Sequence, residues 1–554
     1  MEKKISRRKF IKTAAVTTGA GALGGAAFAA KMTPAAVQGP PTTLPTGPTG
    51  TADVVVVGGG FAGLTAAFRV RQAGRSVVLI EATERLGGRT FTARLNDRNR
   101  TPFEIGGAWV SGTDTQSNIK RLMAELNIGM FPQFTDGNAI FEVSSGEAHV
   151  WLKDDPPPLS EDALLNLGQA LTKIGLMTES IRLNTPWEDV PFPPDVGPPS
   201  SVAADQITVQ NWLDAEMADD DGKLVLQIGL GGVMAIDLNA VSLLQMLFLV
   251  RSFGSPDGLP PNPLNLFGTA PGQANAFRIP GGMGSITDIM IQRIGQSSIV
   301  TDSPVREIDQ DESGATVISE QVTVRARKVI VALSTTLQGF IRFNPILASD
   351  RAQLQQRFPL GLVWKNWLVY DEAFWRTHIY RSNRKPFTGA TTSAHTEDFY
   401  GATLDGGPEP NVRTPGLLVG FVDGDRGREY ARLTRAERKQ RFIDELAHRF
   451  DVIGLGPQIR RPSQRITFPV VLPQNPVPDN YFEFNWVVDE FGRGDYGGTP
   501  GPGVLTAVGF GPAIREPFMN VHWAGVDTST ECYGTINSAI QSGNNAARAV
   551  LARL

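Results

Sequence analysis

Residues 53–63, DVVVVGGGFAG, decide the fold of this chain. The run of valines predicts a strand that is buried on both faces. Residues 64–73 then predict a helix, and residues 76–80 predict a second buried strand that ends at the acidic residue Glu81. A strand, a Gly-x-Gly-x-x-Gly turn, a helix, a second strand and an acid in this order predict a dinucleotide-binding unit of the Rossmann type.

Each part of this unit has a physical task. Gly58 permits the tight turn, Gly60 lets the backbone approach a pyrophosphate, and Gly63 lets the helix pack on the strand. The N-terminus of the helix offers unpaired N–H groups and partial positive charge to phosphates. Glu81 can accept hydrogen bonds from ribose hydroxyls. An ordinary glycine turn is the alternative, and these residues alone leave NAD and FAD equally open.

The next two blocks carry a resemblance to a known family. Residues 84–90, ERLGGRT, resemble the second flavin motif of the flavin-containing amine oxidases. In that family the paired glycines bring the backbone close to the cofactor, and the arginine, here Arg89, helps to neutralise the pyrophosphate. Residues 103–110, FEIGGAWV, resemble the family segment that lies against the flavin ring. The resemblance therefore implies FAD rather than NAD.

The resemblance continues towards the C-terminus. Residues 279–284 look like the family turn that leads back from the substrate domain, and residues 300–309 and 328–333 look like two strands of the FAD domain. Val305 matches the position whose backbone usually meets the adenine. Residues 521–528 resemble the family's aromatic-Ala-Gly-x-Glu-Thr motif, with Asp527 in place of the usual glutamate. A helix is expected over residues 544–554, and its N-terminus should point at the flavin.

The resemblance thus implies a set of cofactor-binding residues. They are Gly58, Gly60, Ala62, Gly63, Glu81, Ala82, Gly88, Arg89, Gly106, Gly107, Ala108, Trp109, Val305, Gly525, Asp527, Thr535 and Ile536. Asp495 stands where covalently flavinylated members carry a cysteine, so the resemblance implies that FAD is bound non-covalently.

Lys365 is the first candidate for a catalytic residue. It lies in residues 361–370, GLVWKNWLVY, which resemble the family segment that bears a buried lysine. In the family this lysine holds a water near flavin N5 and assists reoxidation. A lysine among apolar strand residues is costly without a partner. The alternative is a lysine at the end of a strand whose ammonium reaches solvent.

Aromatic residues are expected to shape the substrate pocket. The neutral amine is the reactive form, so an apolar and aromatic pocket is expected rather than an acidic one. Tyr496 matches one wall of the family's aromatic cage, and Trp486 is either a second pocket residue or plain core packing. Many members carry a second cage tyrosine at the position of Thr535, so Tyr533 and Trp364 are the candidates to fill the gap.

The predicted reaction is the oxidation of an amine. Hydride passes from the carbon next to nitrogen to flavin N5, and the imine hydrolyses to an aldehyde or ketone. Cyclic and secondary amines fit by analogy with nicotine-degrading members, and either dioxygen or an exported redox protein can serve as acceptor. An L-amino acid oxidase is an alternative that needs an arginine for the substrate carboxylate, from Arg182, Arg251 or Arg376. A desaturase or isomerase of the same fold that acts on a lipid-like substrate is a further alternative, as is a non-enzymatic flavoprotein.

The N-terminus predicts export. Residues 6–12, SRRKFIK, resemble the twin-arginine signal. Residues 13–30 form a mildly apolar run that ends in small residues, which predicts cleavage after Ala29 or Ala30. A transmembrane anchor and a disordered basic arm are the alternatives, but four glycines and three threonines make the run too weakly apolar for an anchor. Residues 31–51 predict a flexible linker.

The amino-acid composition limits which other kinds of site the protein can contain. The 52 basic and 56 acidic residues are intermingled, which gives no indication of nucleic-acid binding. With one cysteine, Cys532, and five dispersed histidines, no metal site and no intrachain disulfide are predicted. Homodimerisation stays open.

A chain of 554 residues is too long for one simple core, and the resemblance implies an interleaved α/β fold. A split Rossmann-like FAD domain is expected over residues 52–130, 276–340 and 491–554. An α+β substrate domain is expected over residues 131–275, mostly helical, and 341–490, with a sheet and helices.

Overall fold

The computed structural model describes residues 50–111, 116–152, 155–254, 263–266, 274–393, 395, 398–407, 415–470 and 474–554. The predicted export signal over residues 1–30 and residues 31–49 of the predicted linker lie outside the described residues. The first strand already begins at Gly50, within the predicted linker. None of the described helices combines the length and apolar character that crossing a bilayer requires.

The described strands are numbered in chain order. They are β1 Gly50–Val57, β2 Val77–Ile80, β3 Thr92–Arg94, β4 Pro102–Glu104, β5 Phe131–Pro132, β6 Asn138–Glu142, β7 Ala148–Trp151, β8 Phe277–Arg278, β9 Ile299–Val300, β10 Val305–Asp311, β11 Gly314–Ser319, β12 Thr323–Ala332, β13 Arg342–Asn344, β14 Leu360–Gly361, β15 Val363–Tyr370, β16 Phe387–Ser393, β17 Ala402–Asp405, β18 Gly416–Asp423, β19 Tyr481–Asn485, β20 Asp495–Gly498 and β21 Val521–Ala524.

The described α-helices follow the same numbering. They are α1 Phe61–Gln72, α2 Ser117–Leu126, α3 Glu161–Ser180, α4 Ser201–Asp205, α5 Val209–Glu216, α6 Asp220–Met234, α7 Leu243–Ser252, α8 Gly284–Ile294, α9 Thr335–Gln338, α10 Ser349–Leu354, α11 Gly424–Tyr430, α12 Arg435–Asp451, α13 Gly456–Ile459, α14 Phe510–Ala513 and α15 Ile536–Leu551. Short 3-10 helices lie at Pro263–Leu266, Gln296–Ser298, Phe374–Arg376, Trp486–Val488 and Val526–Thr528.

The first sheet is built from three distant parts of the chain. Its order is β13-β10-β11-β12-β1-β2-β9, and β21 pairs with the C-terminal half of β12. Strand β1 is parallel to β2 and β12. Val54 and Val56 pack on the side of α1 and α15, whereas Val55 and Val57 pack on the opposite side. This explains why the strand is a continuous apolar run, since helices or strands cover both of its faces.

The second sheet has the order β19-β15-β18-β17-β16-β6-β7. Its neighbours are antiparallel except for β16 and β6. All residues of β15 are buried. Trp364 and Leu368 face the cluster that contains helix α12, whereas Trp367 and Val369 face the cluster that contains the β3–β4 hairpin. Because side chains alternate along a strand, Lys365 points to the hairpin side together with Trp367.

A helical layer completes the architecture. Helices α3 to α7 share one apolar cluster, which includes Met177, Trp212 and Phe248. Helix α6 lies against β18 and β20. The stretch predicted as mostly helical over residues 131–275 first forms β5 to β7 and becomes helical from Glu161 onwards.

Three element predictions need correction. The predicted strand over residues 300–309 is two strands, because Asp302 adopts a positive φ of 55° and Pro304 follows it. Helix α1 begins at Phe61 rather than at residue 64. The C-terminal helix begins at Ile536 and not at residue 544, because Thr535 forms a capping box with Ser538.

Candidate functional site

One large cavity brings together residues that lie far apart in the sequence. Its volume is about 1470 Å³. The predicted residues on its wall are Gly58, Gly60, Ala62, Glu81, Ala82, Gly88, Arg89, Gly106, Gly107, Ala108, Trp109, Val305, Lys365, Trp486, Tyr496, Gly525, Thr535 and Ile536. Gly63 and Asp527 do not line it.

The glycine turn has the geometry that an anion site requires. Gly58 has a φ of +98°, and a Cβ there would lie 2.9 Å from the carbonyl oxygen of Ala332. A Cβ on Gly63 would lie 1.8 Å from the carbonyl oxygen of Gly58, so only glycine lets α1 approach the strand. The space beside Gly60 is open, with Gly88 Cα the nearest heavy atom at 3.9 Å. No side chain caps α1, so its first N–H groups remain available to a phosphate.

Glu81 is held in place at the end of β2. Its Oε2 accepts a hydrogen bond from the N–H of Gly59 at 2.6 Å, and its Oε1 accepts hydrogen bonds from the N–H and the hydroxyl of Thr83 at 2.9 Å. An ionised carboxylate has about four acceptor positions, so lone pairs remain for ribose hydroxyls. Arg89 lies on the same wall. This set of donors and acceptors fits the pyrophosphate and the ribose of a dinucleotide.

Asp527 contributes to the fold rather than to the cavity wall. Its Oδ2 accepts a hydrogen bond from the N–H of Thr335 at 2.7 Å, and its Oδ1 accepts one from the N–H of Gly498 at 2.8 Å. The shorter aspartate therefore joins the first residue of helix α9 to strand β20. Placing it at the cofactor is not supported by this geometry.

Lys365 lies inside β15 and is only 6% exposed, so the alternative of a lysine that reaches solvent is wrong. Its Nζ donates a hydrogen bond to the carbonyl oxygen of Gly106 at 2.7 Å. The rings of Trp109 and Trp367 lie 5.1 Å from Nζ. Burial lowers the pKa of Lys365 to about 7, although the nearby carboxyl of Glu104 acts in the opposite direction. The amine can therefore gain or lose a proton near neutral pH.

Glu104 is a buried acid that interacts electrostatically with Lys365 and that the sequence did not identify. It is buried, and its Oε1 accepts hydrogen bonds from the N–H of Met283 at 2.7 Å and from the hydroxyl of Thr92 at 3.0 Å. Burial raises its pKa, and Lys365 and Arg278 act against that rise. The sequence does contain a feature that could have identified Glu104, since this acid stands two residues before the Gly106-Gly107 pair.

Tyr533 and Trp364 are the two candidates for the place of the missing cage tyrosine. Tyr496 and Tyr533 line the cavity, and the Tyr533 hydroxyl donates a hydrogen bond to the carbonyl oxygen of Gly498 at 2.6 Å. Trp364 does not line it, because its ring packs on Tyr430 on the other side of the sheet. Thr535 lines the wall while its hydroxyl caps α15. Of the two candidates for the place of the missing tyrosine, Tyr533 lines the cavity and Trp364 does not.

Trp486 is both a packing residue and part of the wall. Its ring meets Phe484 edge-on at 4.7 Å, and the guanidinium of Arg85 lies 5.5 Å from its centroid. Both Arg85 and Trp486 line the cavity.

The expectation of an apolar and aromatic pocket rather than an acidic one needs correction, because two acids lie on the cavity wall. Asp423 and Asp495 both line the cavity, and burial raises their pKa values to about 6 and about 7 respectively. In the sequence, Asp495 stands at the position of the family's attachment cysteine, whereas nothing marks Asp423 as a residue of the site. The three arginines considered for a substrate carboxylate do not line the cavity, as Arg182 pairs with Glu188 and Arg376 with Asp405.

Asp495 gives a pH-dependent stability that can be measured. The carboxyl is 3% exposed, and among the described residues its Oδ2 has no hydrogen-bond partner. Its folded-state pKa is raised from 3.8 to about 7, so the folded protein retains a proton that the unfolded chain loses. Stability from this group is therefore present below about pH 4 and lost as pH rises to about 7.

We expect Asp495→Asn to raise the unfolding temperature more at pH 8 than at pH 5. The exposed Glu312, replaced by Gln, is the matched control and should show no such difference. An equal change in unfolding temperature at both pH values for Asp495→Asn would contradict a neutral carboxyl.

A group of Glu142, His395 and Asp398 has potential metal-ligand atoms within 4.8 Å of one another. Arg449 lies between the carboxylates, 2.8 Å from Glu142 and 2.7 Å from Asp398. The guanidinium already supplies positive charge at this place, so the group is explained as an ion-pair network of the second sheet.

Comparisons with known proteins agree with this geometry. The family described as flavin containing amine oxidoreductase matches residues 61–551. The chain is 27% identical over 493 residues to a probable flavin-containing monoamine oxidase A of Dictyostelium discoideum, covering 89% of this chain and 95% of the relative. It is 28% identical over 515 residues to putrescine oxidase of Kocuria rosea, covering 90% of this chain and 95% of the relative.

A solved structure is similar over nearly the whole chain. Cyclohexylamine oxidase from Brevibacterium oxydans has a TM-score of 0.77 and 28% sequence identity, and the match covers 91% of this chain and 99% of that chain. The fold is thus the split α/β fold of FAD-dependent amine oxidases. The glycine turn, Glu81 and Arg89 supply the groups that FAD requires. This chain belongs to the family of flavin-containing amine oxidoreductases, and its cofactor is FAD.

Proposed function

We propose that the protein oxidises its amine at the wall formed by Lys365, Tyr496 and Tyr533. The observation that carries this assignment is Lys365, a buried lysine on the cavity wall whose ammonium is bonded to the Gly106 segment. FAD supplies the acceptor for the hydride that leaves the carbon next to nitrogen. The two tyrosines orient the neutral amine, and the closed aromatic wall keeps water from it.

The products follow from the balance of the reaction. The amine loses a hydride and a proton and becomes an imine. The imine then adds water and releases an aldehyde or ketone together with ammonia or a smaller amine. The role of Lys365 is to hold a water or a proton at Nζ, which its pKa of about 7 allows.

Dioxygen is the proposed electron acceptor, with hydrogen peroxide as its product. The support is the buried cation at Lys365, because dioxygen gains negative charge as it is reduced. An exported cytochrome or quinone is the second candidate. Reoxidation in air with stoichiometric peroxide supports dioxygen, and slow reoxidation in air contradicts it.

An anaerobic absorbance titration tests the proposed function. The purified protein, without residues 1–30, is mixed with primary, secondary and cyclic amines and with amino acids. Bleaching of the oxidised flavin band by one class of amine supports the proposal and names that class. A flavin band that only amino acids bleach would instead support an amino acid oxidase, and one that no amine bleaches contradicts the proposal.

The export route is proposed from the sequence alone. The Ser6-Arg7-Arg8 start is the feature that a twin-arginine receptor reads, and this route carries proteins that have already folded around a cofactor. Replacing Arg7 and Arg8 together by Lys should retain the protein in the cytoplasm of a host with this pathway. Unchanged export of the double variant argues against the proposal.

The flavin is expected to leave the protein on denaturation. The sole cysteine, Cys532, is buried and does not line the cavity, and Asp495 occupies the place of the family's attachment cysteine. Precipitation with acid should leave the flavin absorbance in the supernatant. Flavin that stays with the precipitated protein would show a covalent bond.

A further inference from the structure

Asp423 shares a sheet face with Lys365. It ends β18, where it pairs with Val363, while Phe421 pairs with Lys365. Residues two apart in a strand point to the same face, about 7 Å apart along the strand. Val363, Lys365, Phe421 and Asp423 all line the cavity. The carboxylate of Asp423 therefore lies on the same cavity wall as the ammonium of Lys365, two residues further along the paired strands.

Among the described residues, Asp423 forms no ion pair, although Arg426, which also lines the cavity, attracts it electrostatically. The neighbouring Asp237 is different, because it pairs with Arg428 and accepts the N–H of Asp425 at 2.8 Å. Burial raises the pKa of Asp423 to about 6, so at pH 8 it is negatively charged on the cavity wall.

The carboxylate of Asp423 lines the cavity beside helix α6. Helix α6 faces it with Gly232, and a Cβ there would lie 3.5 Å from Oδ2 of Asp423. A longer side chain at this position would cover the carboxylate. Val233 of α6 and Ile236, which follows α6, also line the cavity, and because both are apolar they cannot bond the carboxylate. A half-buried carboxylate without an ion-pair partner is destabilised, and a bound cation would relieve that cost.

We propose that Asp423 binds a second ammonium group of the substrate, so that the preferred substrate is an aliphatic diamine. The proposal rests on the proposed function, in which the reacting nitrogen lies near Lys365, Tyr496 and Tyr533. A carboxylate bonded to the reacting nitrogen would keep it protonated and without a lone pair. The same carboxylate about 7 Å along the strand suits the nitrogen that does not react.

The test compares two amines of equal chain length in the FAD-loaded protein at pH 8. Putrescine carries a nitrogen at each end, whereas butylamine carries one. Anaerobic stopped-flow absorbance gives the dissociation constant and the limiting rate of flavin reduction for each. We expect the wild type to bind putrescine about 30-fold more tightly than butylamine, the size of effect of one charged hydrogen bond.

Three variants separate recognition from folding. Asp423→Asn should weaken putrescine binding about 30-fold and leave butylamine within about threefold. Asp423→Glu, which retains the charge, should keep the preference for the diamine. Asp425→Asn is the matched control, because Asp425 is exposed and does not line the cavity. It should leave the ratio between the two amines unchanged.

The outcomes distinguish this proposal from the proposed function. Equal weakening of both amines in Asp423→Asn would overturn the proposal and make Asp423 a structural residue. A wild type that binds butylamine as tightly as putrescine, or that is bleached only by other monoamines, would also overturn it while amine oxidation stands. A flavin that no amine bleaches would overturn the proposed function itself.

Discussion

Replacing Lys365 by Met is expected to slow the reoxidation of the reduced flavin by dioxygen about 100-fold, at the low end of what a positioned proton donor contributes. Anaerobic reduction by the amine should change by no more than about threefold, because the neutral amine needs no proton from Lys365 to give up its hydride. Stopped-flow absorbance measures the two half-reactions separately. Methionine keeps the length of the side chain but loses the bond to Gly106.

The pH profile gives this prediction a second readout. The pKa of Lys365 is lowered to about 7, so its charge is present at pH 6 and mostly lost at pH 8. A cation stabilises the charge that dioxygen gains, so the reoxidation rate of the wild type should fall as pH rises through about 7. The Lys365→Met variant should show no such step.

Lys328 offers a matched control for the substitution. It is a half-buried lysine of β12 whose Nζ donates a hydrogen bond to Asn520 at 2.7 Å, and it does not line the cavity. Lys328→Met should reoxidise at the wild-type rate. If Lys365→Met slows flavin reduction as strongly as reoxidation, the lysine positions the substrate rather than serving the acceptor.

The cofactor-binding part of the site could be predicted from the sequence because its residues lie close together along the chain. The glycine turn, the start of helix α1 and the acid Glu81 all lie within residues 58–81. The turn depends on the backbone conformation of its glycines, and Glu81 depends on where strand β2 ends. Lys365 was found through a local segment as well. Its partner at Gly106 belongs to the other motif of the same resemblance, so the contact between them follows only from the folded chain.

The substrate half was only partly predictable. Asp423 is an ordinary acid at a strand end, and it becomes notable only when β18 lies beside β15 and Gly232 of α6 leaves it uncovered. The choice of Tyr533 over Trp364 depends on which face of a strand or loop meets the cavity. Asp527 looked like a cofactor residue because its motif matched, but its shorter side chain bonds to two backbone N–H groups.

Gly60→Ala is expected to abolish the retention of FAD while leaving the protein folded. Gly60 has a φ of −72°, which alanine adopts without strain, and its added Cβ would meet only ordinary van der Waals contact, since the nearest heavy atom is Gly88 Cα at 3.9 Å. The methyl group would instead occupy the side of the turn that a pyrophosphate must approach. The purified variant should be colourless and should bind added FAD at least about 100-fold more weakly, as expected when a phosphate loses its backbone donors.

Gly63→Ala provides the contrast, because its Cβ would lie 1.8 Å from the carbonyl oxygen of Gly58 and cannot be placed without moving α1. It should reduce the unfolding temperature of the apoprotein, whereas Gly60→Ala should leave it within a few degrees of the wild-type apoprotein. Calorimetry of both apoproteins and a fluorescence titration with FAD measure these effects. A Gly60→Ala protein that still purifies yellow would show that the cofactor does not approach the turn at this residue. A Gly60→Ala protein that unfolds as early as Gly63→Ala would show that the loss of FAD follows from loss of the fold.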